Sequence, residues 1–87
     1  SISQMAQLKN AEVAIEQGRP KVAVEFCREL LEKRSTPELR RETFRIMGRA
    51  YERLRNHRAA VYCFSGMLPD AEVEAEGYRE AEQGDLP

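Results

Sequence analysis

"RIMGRAYERLRNHRAAVYCF", residues 45–64, is the stretch on which the fold turns. It holds Gly48, Tyr51, Ala60 and Phe64 and threads Arg45, Arg49 and Arg53 between them. Ile46, Met47, Ala50, Tyr51 and Leu54 recur with the period of one helix face, not the alternation of a strand. The polar turn "RNHR", 55–58, interrupts that period. Ala59, Ala60, Cys63, Phe64, Met67 and Leu68 then resume it, and Pro69 closes the second helix. So short a break permits only an antiparallel helical hairpin. Gly48 and Ala60 are small enough for the two helices to approach closely, and Tyr51 and Phe64 fill the space around that contact. A glycine in mid-helix costs about 1 kcal/mol against alanine, which close packing offsets.

The same grammar extends to both sides. Upstream, Ser3 is placed to cap a first helix carrying Met5, Leu8, Ala11, Val13 and Ile15. Gly18 ends it, and Pro20 suits the first turn of a second helix carrying Val22, Ala23, Phe26, Cys27, Leu30 and Leu31. Lys33 and Arg34 favour that helix's negative end. The junction "RSTPELR", 34–40, starts the third helix, with Thr36 as N-cap, Pro37 at the first position and Glu38 at the positive dipole end. Downstream, Asp70 caps a fifth segment, "AEVEAEGYREAEQ", whose large anchors are Val73 and Tyr78 and which Gly77 weakens. The expected core is Leu8, Ile15, Phe26, Leu30, Ile46, Met47, Tyr51, Phe64 and Leu68.

An all-α domain built from two helical hairpins and an end helix is therefore expected. With 87 residues, of which 41% are hydrophobic, the chain makes one small domain with a modest core. No apolar run is long enough to span a membrane, and no basic-then-apolar leader is visible. The chain begins at Ser1, which fits an excised piece and a processed product equally, and in either a leader would already be gone. Cys27 and Cys63 both fall in apolar helical patterns and are expected to be buried free thiols, which points to a reducing, cytoplasmic compartment. The net charge of -1 hides an asymmetry. Residues 40–58 hold seven arginines, and residues 70–85 hold seven acids. Such a split suits intramolecular pairing, head-to-tail self-association or separate partner surfaces.

Residues 41–69 resemble a tetratricopeptide repeat. That family carries, over roughly 34 residues, an apolar residue then Gly or Ala, a Tyr three positions on, and small, aromatic and small residues on the second helix. Met47, Gly48, Tyr51, Ala60 and Phe64 match it. Phe44 stands at the early Trp position, Met67 replaces the last small residue, and Pro69 comes slightly before the family's proline. The first hairpin, from Gln4, resembles a degenerate copy, with Ala11 and Ala23 at the small positions, Ala14 for Tyr, Cys27 for Phe and Leu30 at the later small position. Ala23 and Ala60 lie 37 residues apart, with the excess over the standard period in the junction at 33–40. The resemblance implies a right-handed superhelical array, a degenerate repeat at 4–35, a main repeat at 36–69 and a capping helix at 70–84.

Chemistry is sparse. The lone His57 lies in the polar turn with nothing to orient it as a base, and one histidine with two isolated cysteines makes no zinc cluster. There is no phosphate-binding glycine motif, and the acids of the tail lack the spacing of a calcium loop. No enzyme and no cofactor are expected.

Arg41, Arg45, Arg49 and Arg53 instead form a ladder along the third helix. A solvated face accounts for such a ladder, relieved by Glu38, Glu42 and Glu52. The resemblance implies more, because the first helix of each repeat in that family lines a concave groove for peptides or partner helices. Glu42, Arg45, Arg49, Glu52 and Arg53 fall on groove positions, where Arg45 and Arg49 suit a carboxylate through paired, charge-assisted donors. The matching residues of the first hairpin are Leu8 and Glu12, not Lys and Asn, so a full carboxylate clamp is not expected. An acidic or mixed peptide across the second hairpin is, with Leu8, Glu12 and Ile15 as a neighbouring wall unless they are simply buried. Nucleic acid is disfavoured by the near-zero net charge and the acidic tail. The expected function is non-catalytic protein binding in scaffolding, chaperoning or complex assembly. The alternative is a structural or self-associating part of a larger helical-repeat protein.

Overall fold

A computed structural model describes residues 2–76. It is all-helical, with α1 at Gln4–Glu16, α2 at Pro20–Leu31, α3 at Pro37–Arg53, α4 at His57–Phe64 and α5 covering 71–76. The rest of the expected end helix, with Gly77 and Tyr78, lies outside the described residues.

Local chemistry accounts for most boundaries. The Ser3 hydroxyl accepts the Ala6 amide at 3.1 Å, and Thr36 Oγ1 accepts the Leu39 amide at 3.1 Å ahead of Pro37. Asp70 Oδ1 accepts the Val73 amide at 2.9 Å and starts α5. Gly18, at φ 76, ends α1 in the left-handed region, where the Arg19 amide reaches back to the Ala14 carbonyl at 2.8 Å. Arg55 takes the same left-handed conformation, at φ 60, between α3 and α4. A side chain there costs on the order of 1 kcal/mol, which the packing on either side must offset.

Two boundaries differ from the sequence expectation. His57 is the first residue of α4, not part of the turn, because Asn56 caps the helix. At its other end α4 stops at Phe64, and Gly66 (φ 78) turns the chain so that the Met67 amide donates to the Tyr62 carbonyl at 2.9 Å. Pro69 is therefore not what closes α4, and Met67 and Leu68 lie beyond it.

α1 pairs with α2 and α3 with α4, and the hairpins stack through α2 on α3 and α1 on α3. The core runs through that stack. Leu8, Ile15, Leu30, Ile46, Met47 and Tyr51 are buried as expected, joined by Phe44, Val24, both cysteines and a set of alanines at the helix crossings. Phe26 is only half-buried. Phe64 and Leu68 do not join the core, and Met5, expected on the inner face of α1, is exposed. Leu68 has left the helix by then, and among the described residues no helix packs over the outer face of α4 to bury Phe64.

Candidate functional site

Packing at the α3–α4 crossing sets the site. A Cβ on Gly48 would lie 2.5 Å from Cε1 of Phe64, so the ring rests directly on the glycine backbone. Ala60 is buried in the same hairpin. Phe64 thus packs on Gly48, while the outer side of its ring faces solvent.

That half-open ring helps floor a groove of about 550 Å³ between the first half of α3 and the end of α4. Phe44, Cys63 and Phe64 line its apolar part, and Arg40, Arg41 and Arg45 line its charged part. Among the described residues no carboxylate lines it. The Arg40 guanidinium sits 5.1 Å from the centre of the Phe44 ring, a cation–π arrangement that holds the charge at the rim. Arg45 is engaged by Glu42. Its Nε donates to both carboxylate oxygens at 3.1 Å, and Nη2 makes a further ion pair with Oε1. These hydrogen bonds hold the Glu42 carboxyl below its ordinary range, with the charge of Arg49 adding to the effect, and they raise Arg45.

The structure divides the arginine ladder. Arg41 and Arg45 line the groove together with Arg40, which the ladder pattern passed over. Arg49, Glu52 and Arg53 are exposed along the second half of α3 and line no groove among the described residues. A second hollow of about 730 Å³ lies between the starts of α1 and α3, lined by Met5, Leu8 and Leu39 together with Glu38 and Glu42. Leu8 thus borders a hollow, while Ile15 is core and supplies no wall. Glu12 pairs with Lys9 at 3.6 Å.

A polar hub on the far side of the stack was not foreseen. Arg28 Nη2 donates to the Tyr51 hydroxyl at 3.1 Å, to the Pro69 carbonyl at 3.4 Å and to Glu74 Oε2 at 3.2 Å. The Tyr51 hydroxyl donates to Glu74 Oε1 at 3.3 Å. Buried Asn56 donates from Nδ2 to the carbonyls of Val73 and Glu74 at 3.2 and 3.1 Å, while its Oδ1 accepts the Ala59 amide at 3.1 Å. Arg58 pairs with Glu76 at 2.9 Å. Together these tie α5 to α2, α3 and α4. Burial raises the Tyr51 hydroxyl well above its ordinary value, against the opposing pull of Arg28. Burial disfavours the charge on Arg28, but its bonds to Tyr51 and Glu74 outweigh this and raise it overall. Asn56 carried a readable signal as a capping residue ahead of an apolar period; Arg28 carried none.

Burial also pushes the Cys27 and Cys63 thiols up to about 12, so both are protonated and poor nucleophiles at neutral pH. Among the described residues no group of three or more His, Cys, Asp or Glu is arranged to hold a metal, and no helix is long and apolar enough to cross a membrane. Comparison with family models, curated proteins and solved structures finds no match for this chain.

Proposed function

We propose that this chain is a non-catalytic protein-binding module of tetratricopeptide-like hairpins that receives an acidic peptide segment in the α3–α4 groove, in scaffolding, chaperoning or complex assembly. The observation that carries this reading is the groove's composition. Phe64 presents apolar surface over buried Phe44 and Cys63, beside three arginines, and among the described residues no acid lines the same space. Such a surface favours a ligand that buries an apolar side chain while setting carboxylates against guanidinium groups. The shift of charge towards Arg40, Arg41 and Arg45, away from Arg49 and Arg53, moves the binding centre to the first half of α3. The protonated thiols support a role without nucleophilic chemistry, and two free buried cysteines suit a reducing, cytoplasmic setting.

The alternative, a structural or self-associating part of a larger helical stack, is favoured by one observation. Val61, Phe64, Met67 and Leu68 are all exposed, within and just after α4.

Affinity capture with the wild-type chain and Arg41→Glu tests the binding reading. Arg41 is exposed and makes no ion pair with a described residue, so its reversal leaves the core intact. The variant is expected to lose the acidic partner while keeping helicity and melting temperature, and wild-type capture is expected to weaken as salt rises. Retention of the same partner by Arg41→Glu at low salt sinks the assignment.

A further inference from the structure

The two hairpins carry matching apolar positions in their second halves but treat them differently. In the register that aligns Ala23 with Ala60, Val24 matches Val61, Cys27 matches Phe64 and Leu30 matches Met67. α2 lies between α1 and α3, and there Val24, Cys27 and Leu30 are only 4%, 0% and 3% exposed. α4 packs on α3, and its counterparts Val61 and Phe64, with Met67 just past its end, are 61%, 50% and 56% exposed. The described part of α5 does not close this face. Its contacts run instead to Arg28, Tyr51, Asn56 and Arg58. The uncovered face joins the basic groove through Phe64, which belongs to both.

α2 is followed by a helix that packs along it, whereas the described part of α5, the helix after α4, is held at Asn56 and Arg58 and leaves Val61 and Phe64 exposed. α3 is amphipathic, and its inner face is set by Ile46, Met47, Ala50 and Tyr51. A face that repeats the apolar positions of α2 favours the same kind of occupant, because side-chain ridges accept a helix at helical spacing and not an extended strand. The charge is also specified. Arg40 is held over Phe44, and Arg41 makes no ion pair with a described residue, so a flank of the incoming helix meets positive charge there, while Arg45 is already engaged by Glu42.

We propose that the outer face of α4 and the adjoining arginine groove receive an amphipathic helix of a partner protein, with one apolar face and an acidic flank. About three turns are enough, since α4 has eight residues and is about 12 Å long. This deepens the binding reading above and rests on it.

The test is display selection of a random peptide library, about 16 residues long, on the wild-type chain, with Met67→Glu and Val61→Glu as counter-targets. Both residues are exposed, so the two variants keep the core, which thermal melts verify. The expected result is enrichment of peptides with apolar residues at helical spacing beside Asp or Glu. A synthetic copy should gain helicity on binding and bind both variants at least about tenfold more weakly. Enriched acidic peptides that contain a central proline or alternate apolar residues overturn the helical occupant and leave the binding function standing. No enrichment over Arg41→Glu overturns both. A wild-type chain that sediments as a dimer, and becomes a monomer in Met67→Glu, makes a second copy the occupant and overturns the partner helix.

Discussion

Asn56 joins the second hairpin to the end helix, and its removal has a calculable cost. The residue is 1% exposed. Replacing it with alanine removes the cap on α4, a loss of about 1 kcal/mol. It also removes the two bonds to the Val73 and Glu74 carbonyls, whose net contribution is about 1 kcal/mol each. The expected total for Asn56→Ala is thus about 3 kcal/mol, a large share of the roughly 5–10 kcal/mol typical of a domain this size. For a small domain this lowers the melting temperature by roughly 12–24 °C. Asn56→Ser separates the two contributions. Serine can cap α4 but is too short to reach α5, so it should recover about 1 kcal/mol relative to alanine. Urea titration followed by far-ultraviolet circular dichroism measures both variants. If Asn56→Ala stays within about 0.5 kcal/mol of wild type, the surface level for an uninvolved residue, the hub does not anchor α5. If Asn56→Ser equals wild type, the cap carries the whole effect and the amide bonds carry none.

Two further outcomes are expected. Gly48→Ala should couple to Phe64, since the new methyl forces the ring to swing outward. In a Phe64→Ala background the alanine should gain about 1 kcal/mol of helix propensity, and in wild type it should gain less or lose stability, giving a coupling near 1 kcal/mol; a double-mutant cycle that returns zero refutes the contact. Stability should also fall in alkali. Burial raises the Cys27 and Cys63 thiols from 9.0 to about 12, so the folded state holds these protons more tightly than the unfolded chain does. Their contribution is complete below pH 9 and is lost as pH rises from there to about 12. Urea midpoints measured across that range should decline, and should decline less in Cys27→Ala/Cys63→Ala; an identical decline in that variant removes the thiols as the cause.

The parts of this fold that could be read from the chain are those decided within a few residues. Ser3, Thr36 and Asp70 act on amides three positions away, and Gly18 relieves a clash within its own turn. The inner faces of α1 to α3 follow from the helical period, which is why most of the expected core is correct. The ladder from Arg41 to Arg53 was visible as a stripe, but a stripe does not reveal where the surface is concave. The groove depends on where α4 ends, and Gly66 moved that end back from Pro69. Arg28 and Glu74 are 46 residues apart, so no local pattern announces their contact.

The sequence by itself determined that the chain forms helices and where most begin. Hydrogen-bond capping, backbone sterics and amphipathic periodicity act locally and leave their mark in residue order. The tertiary structure alone decided that Val24 and Cys27 are covered while Val61 and Phe64 are not, and that three arginines rather than four gather over an aromatic floor. Burial depends on which surfaces, distant in sequence, come to lie against a residue. Two segments with the same pattern can therefore end as core in one hairpin and as open face in the next.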